Sequence, residues 1–324
     1  MIIAYLPVVS GLERVTVSPG ESIPATAVWI DLFQPTHEEK SAAARIVGVD
    51  IPAREDIASI ETSERLYEAP GGVVMTALLP IAARIPDPEL SSVTFVLTSR
   101  RLVTLRYGEP KSIELCSRKV QKSPNMPHSG CGVLFVLLDI VVDRCADVME
   151  AAAAQFDATS MQVFEEGLSW RKSASYMTAI REQGRIGLTV ARMHDVLSSL
   201  TRLSLFLSLH NQKVALNDDQ KEACQAFTRD IHSIKEHADA LDGKLSFLLD
   251  ATVGLVNLEQ NQIIKIVSVL AVIFLPPTLI ASVYGMNFSE MPGLRWIYGY
   301  PFSIFLMVFS VAATFLYFRW KRLL

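Results

Sequence analysis

Residues 263–288 read IIKIVSVLAVIFLPPTLIASVYGMNF, and residues 266–284 contain no ionisable group apart from the tyrosine. A helix over this run is about as long as a ~30 Å hydrocarbon core requires. A buried helix of a globular protein would show a polar face over that length. Residues 300–318 repeat the pattern near the C-terminus, again with tyrosines as their only titratable groups. Both runs read as membrane-spanning helices. Residues 1–261, by contrast, carry charge at the density of a water-soluble protein.

Lys265 opens the first run, while Arg319, Lys321 and Arg322 follow the second. The connecting loop holds only Glu290 and Arg295 as charges. The positive-inside rule then puts both chain ends in the cytoplasm and the short loop outside. The first nine residues are apolar but lack a basic leader, so they read as a strand and not as a signal peptide. Cys116, Cys131, Cys145 and Cys224 are scattered without a C-x-x-C pair, which fits reduced thiols and no zinc or disulfide frame. A net charge of −4 gives no basic footprint for nucleic acid.

The soluble part divides in two. Residues 1–140 mix strand and helix signals and are expected to form a cytosolic α/β domain. Strands are expected at residues 27–32, 73–80, 93–97 and 102–106, from their β-branched content. Thr36 followed by Glu39 predicts a capping box and a helix start. Pro52 with Glu55 and Asp56 suggests another helix start. Residues 122–132, rich in Pro, Ser and Gly, predict a loop. Residues 141–216 form a helical region, with breaks expected at 167–175 and 216–219. Asn217 caps the next helix, with Asp218 and Asp219 in its first turn. This stalk helix, 217–262, is expected to run unbroken into the first span, 263–284, over about 100 Å. Leu241, Leu245, Leu248, Thr252, Leu255 and Asn261–Gln262 give a loosely heptad-like seam that predicts self-association. Residues 285–299 form the outer loop, 300–318 the second span and 319–324 a basic cytoplasmic tail.

On a helical wheel Asn261, Ile264, Ser268, Ala271, Leu275, Thr278 and Ser282 share one face, small or mildly polar. Ile266, Leu270, Ile273 and Phe274 lie opposite, bulky and lipid-compatible. Helix packing by small residues and a pore wall both fit this face. Pro276 and Pro277 free backbone carbonyls, which are tolerated at membrane depth where they meet water or protein. The hydroxyls of Thr278 and Ser282 could serve the same water.

The span ends in Tyr284-Gly285-Met286-Asn287-Phe288, then Met291-Pro292 and Gly299-Tyr300-Pro301. Together with Trp29-Ile30-Asp31-Leu32, Pro35-Thr36 and the run from Ile60 to Tyr67, these motifs resemble the CorA family of magnesium transporters across essentially the whole chain. The resemblance implies a homopentamer of α/β domain, stalk helix and two spans around a central pore in the bacterial inner (cell) membrane.

It further implies a selectivity filter of Gly285, Met286 and Asn287, supported by Tyr284, Phe288, Met291 and Pro292. Asn261, Ile264, Val267, Ala271, Leu275 and Thr278 match pore-lining or gate positions, and Asp250 matches the regulatory acid that binds cytosolic Mg²⁺. One departure stands out: Gly293 replaces the glutamate common in the family's loop. No cofactor is implied; Mg²⁺ is cargo and regulator, with Co²⁺ and Ni²⁺ as further cargo. The partners are identical subunits and the lipid bilayer. No Ser-His-Asp set, P-loop or Rossmann fingerprint points to an enzyme. His232, Glu236 and His237 lie close on the stalk and read as solvated surface, with no third ligand evident. A Co²⁺, Ni²⁺ or Zn²⁺ transporter of the same fold and a non-conducting membrane-anchored scaffold are the alternatives.

Overall fold

The computed structural model describes residues 1–9, 11–18, 20–58, 65–81, 88–122, 129–165, 172–214, 216–286 and 296–321. The chain divides into two compact units, Met1–Leu249 and Asp250–Leu324.

The first unit is built on a seven-stranded sheet ordered β2-β1-β3-β7-β6-β5-β4. Its strands are β1 (Ile2–Val8), β2 (Gly11–Val17), β3 (Trp29–Phe33), β4 (Leu66–Ala69), β5 (Gly72–Pro80), β6 (Leu90–Thr98) and β7 (Leu102–Arg106). β3 and β7 pair in parallel, and every other neighbouring pair is antiparallel. All five residues of β7 and four of the five in β3 are buried, so these central strands are apolar on both faces except where polar groups pair. On one face Ile30, Leu32, Val74, Val96, Val103 and Leu105 join Ala43 of helix α1 (His37–Val47) in a single core.

The Thr36 capping box forms as expected. Glu39 N–H donates to the Thr36 hydroxyl at 3.2 Å, and Thr36 N–H donates to the Glu39 carboxylate at 2.9 Å. Gly48 closes α1 with φ 73°, a left-handed backbone that glycine adopts without strain.

The opposite face carries a buried polar chain. Trp29 Nε1 donates to Thr104 Oγ1 at 3.0 Å, and that hydroxyl donates to Asp31 Oδ1 at 2.7 Å. Arg106 grips the same carboxylate, with Nη2 donating to Oδ2 at 2.9 Å and Nε to Oδ1 at 3.1 Å. Its guanidinium lies 4.4 Å over the Phe33 ring. Arg101 ties a different corner by donating to three backbone carbonyls, Ala25 at 2.5 Å, Ala27 at 3.1 Å and Ile46 at 2.7 Å. Helices α2 (Arg54–Ala58) and α3 (Lys111–Lys122) follow, with Tyr5 OH donating to Ser117 Oγ at 2.8 Å to seat α3 on the sheet.

Helices α4 (Gly130–Glu165) and α5 (Lys172–Leu209) form an antiparallel pair, registered by Gln155 Nε2 donating to Glu182 at 2.8 Å. α4 starts eleven residues before Val141, with Gly130 set close against the β6–β7 turn. A Cβ there would lie 2.2 Å from the Arg101 carbonyl carbon. The loop expected at 122–132 is thus helical at Lys122 and from Gly130 onward, while 123–128 lie outside the described residues. The break expected at 167–175 falls partly outside them too, with α5 already helical from Lys172.

A short α6 (Asn211–Val214) leads to α7 (Asp218–Tyr284), 67 residues without interruption. Asn217 caps it, its side-chain oxygen accepting from Gln220 N–H at 2.8 Å. α5 runs antiparallel beside α7: Ser204 meets the Thr228 hydroxyl, Ser208 meets Cys224 at 3.5 Å, and His194 approaches Asp239 at 3.5 Å.

The seam reading divides here. Leu241, Leu245, Leu248 and Thr252 are buried within one chain, so this stretch of the stripe is spent on intramolecular packing, whereas Leu255 is half-buried and Asn261 and Gln262 are exposed. Heptad spacing reports an apolar stripe; it does not say what covers it.

The four cysteines are free and buried. Burial pushes the thiols of Cys116, Cys131 and Cys145 up to about 12. Since the thiolate is the nucleophile, these three are expected to resist iodoacetamide at pH 8 in the folded protein and to react once it unfolds. Mass spectrometry of labelled protein checks this, and rapid native labelling of Cys116 or Cys145 would refute it.

In the second unit α7 continues from Asp250 and is followed by α8 (Gly299–Trp320). Both helices are long and apolar enough to cross a membrane, and their apolar stretches are almost wholly exposed.

Candidate pore face and ion site

Every residue expected on the pore face is exposed in the single chain. Asn261, Ile264, Val267, Ser268, Ala271, Leu275, Thr278 and Ser282 all lie open on α7. Ile264 is 62 % and Leu275 67 % exposed, and they belong to a contiguous run of exposed apolar residues, not to isolated positions. The half-buried positions Ile273, Pro276, Pro277 and Ile280, with buried Val269, cluster roughly opposite at about 100° per residue. On that side Pro277 shares an apolar groove with Met307, Val311 and Phe315 of α8. The bulky, lipid-compatible side is therefore in part the side turned to α8, and Ile273 belongs to it.

The exposed stripe extends further back than expected. Asp250, Val253 and Asn257 are exposed and continue the Asn261 line at helical spacing. Asp250 stands eleven residues before Asn261, about three turns, which brings it to the same side of the helix. Val253 and Asn257 were absent from the expected set, although the same spacing, carried backward from Asn261, reaches both.

α7 stays helical through Pro276 and Pro277. Neither proline has an N–H to donate, which leaves the carbonyls of Val272 and Ile273 without their usual helical partners. The Thr278 hydroxyl donates to Phe274 O at 2.7 Å, so its proton is committed within the helix and only oxygen lone pairs face outward. This narrows its expected service to water to that of an acceptor.

At the outer end Gly285 N–H donates to Ala281 O at 2.9 Å and Met286 N–H to Val283 O at 3.4 Å, so the chain leaves the helix here. Gly285 is not in the left-handed region; its smallness serves close approach instead, since a Cβ would lie 3.0 Å from Ala281 O. Tyr284 and Met286 are exposed. Asn287, Phe288, Met291 and Pro292 lie outside the described residues. Lower on α7, His232 Nε2 approaches Glu236 at 3.3 Å as an exposed i,i+4 pair. Among the described residues no three His, Cys, Asp or Glu side chains of one chain are grouped to hold a metal ion.

Comparison with known proteins bears on the same regions. Residues 24–322 match the family model described as CorA-like Mg²⁺ transporter protein. The chain is 32 % identical over 311 residues to the magnesium transport protein CorA of Yersinia pseudotuberculosis, covering 96 % of each. It is 31 % identical over 314 residues to that of Salmonella typhimurium, again covering 96 % of each. Its fold is similar to the complete CorA magnesium transporter of Methanocaldococcus jannaschii, with TM-score 0.75, 18 % identity, and coverage of 98 % of this chain and 97 % of that one. With a family match over most of its length and relatives this similar end to end, the chain belongs to the CorA-like Mg²⁺ transporter family.

Proposed function

We propose that identical subunits, five by resemblance, surround a central pore with their α7 helices and let Mg²⁺ run passively down its electrochemical gradient. The observation that carries this reading is the unbroken exposed stripe from Asp250 to Ser282, on the side of α7 away from Pro277 and α8. Two spans per chain enclose no water path, so the stripe needs copies of itself to face. Small and apolar positions (Ile264, Val267, Ala271, Leu275) form constrictions that close by dewetting.

Mg²⁺ gives up its water shell reluctantly. A ring of neutral oxygens, the Gly285 carbonyl and the Asn287 side-chain amide, binds the ion through its coordinated waters, holding it while still letting it leave. Asp250, on the same stripe, presents a ring of carboxylates at the inner end. These repel one another until a cation neutralises them, so cytosolic Mg²⁺ favours the closed arrangement. Both termini are cytoplasmic, and an inside-negative membrane drives a divalent ion inward by about 4.6 kcal/mol at 100 mV.

The test is Mg²⁺ flux into liposomes of purified protein. Wild type is expected to conduct at low internal Mg²⁺ and to close as internal Mg²⁺ rises. Asn287→Ala is expected to lose flux, and Asp250→Asn to need more internal Mg²⁺ for closure. A correctly oriented oligomer without Mg²⁺ flux, but passing Co²⁺, Ni²⁺ or Zn²⁺, would shift the cargo to those ions.

A further inference from the structure

Both ends of α8 carry aromatic side chains that no contact within the chain buries. At its start Trp296, Tyr298 and Tyr300 are 54 %, 64 % and 77 % exposed. Trp296 meets Tyr298 at 6.1 Å and Phe302 at 5.7 Å, edge to face. At its end Tyr317 stacks edge-on against Phe318 at 5.8 Å, and Trp320 is 79 % exposed. Arg319 and Lys321 flank that second group. From Tyr298 to Tyr317 the helix rises about 29 Å at 1.5 Å per residue, close to the ~30 Å hydrocarbon core. Tyrosine and tryptophan have an apolar body and a polar tip and settle at the headgroup boundary. α7 has no such pair: over residues 263–284 its only aromatics are Phe274 in mid-span and Tyr284 at the outer end.

We propose that the two aromatic collars of α8 dock into the two lipid headgroup boundaries and fix that helix at one depth. The occupant of these surfaces is the lipid boundary, because the collar spacing matches the hydrocarbon core and the basic residues Arg319 and Lys321 stand on either side of Trp320 in the inner collar. A neighbouring copy would have no reason to match that spacing. The inference needs only that α8 crosses the membrane, and it stands whether or not the protein conducts.

The test uses full-length protein in phosphatidylcholine–phosphatidylglycerol vesicles whose acyl chains carry bromine either near the headgroup or near the bilayer centre. Fluorescence quenching is compared among wild type, Trp296→Phe, Trp320→Phe and the double variant; Trp29 stays shielded in the core of the first unit, and Trp170, common to all four proteins, cancels when their quenching is subtracted. The quenching lost with each substitution is expected to be at least about twofold greater for shallow bromines than for deep ones. Phe309→Trp in the double variant should reverse that order and confirms that the helix is inserted. Trp296 or Trp320 quenched by aqueous acrylamide but by neither lipid would overturn the proposal, as would no quenching by any of the three, the signature of cover by a second copy.

Discussion

Liposomes carrying Leu275→Asn are expected to leak Mg²⁺ at internal concentrations that close the wild type. Leu275 stands on the exposed stripe one turn after Ala271, level with the proline pair, and is among the most exposed apolar residues of α7. A ring of leucines at that level expels water when the helices draw together; a ring of amides holds it. If wetting removes even ~2 kcal/mol from the closed barrier, flux rises about thirtyfold. The effect should be largest at high internal Mg²⁺, where wild type is shut, and small where it is already open. Closed-state flux equal to wild type at matched protein density would remove Leu275 from the gate.

A change of comparable size, on stability, is expected from Asp31→Ala. The variant strands Arg106, which is 11 % exposed at its side chain, beside a carboxylate that is no longer there. Breaking a buried ion pair from one side costs about 3–5 kcal/mol, because the remaining charge keeps its desolvation penalty. In a unit of this size that lowers the melting temperature by roughly 6–20 °C. Thr104 loses its acceptor as well, which couples the loss to Trp29. The double variant Asp31→Leu, Arg106→Met is expected to recover more than half of the loss, since it leaves no charge behind. Thermal unfolding in detergent reads both. A single variant within about 1 kcal/mol of wild type would mean water reaches Arg106 and the pair is not a buried one.

These two predictions draw on different parts of what the sequence discloses. Local signals were legible: the Thr36–Glu39 box, the Asn217 cap and the uninterrupted run to Tyr284 all form. β2 was missed because Glu13 and Arg14 interrupt its pattern, which an edge strand with one wet side tolerates. β4 was missed because four residues give too little alternation to read. α3 was missed although Ile113, Cys116 and Val120 recur at helical spacing on its buried side. Strand order was out of reach, since the β3–β7 pairing joins segments more than seventy residues apart and depends on what the intervening chain packs against.

The candidate site divides the same way. Spacing alone gave the exposed face of α7, because a helix fixes the direction of each side chain. It could not tell that Leu241, Leu245 and Leu248 are already covered by their own chain, since that depends on where α5 lies. The role of Asn287 rests on the motif, as it stands beyond the described end of α7.

That covering of the leucines has a consequence for biosynthesis. The first unit cannot close its core until Leu248 has been added, yet the first membrane span begins only some fifteen residues later. At about 5–20 residues per second the ribosome covers that gap in roughly 1–3 s. The soluble unit and the membrane insertion machinery therefore receive their last necessary residues almost together. A nascent chain of this protein has little time as a finished soluble fold before it must be delivered to a bilayer.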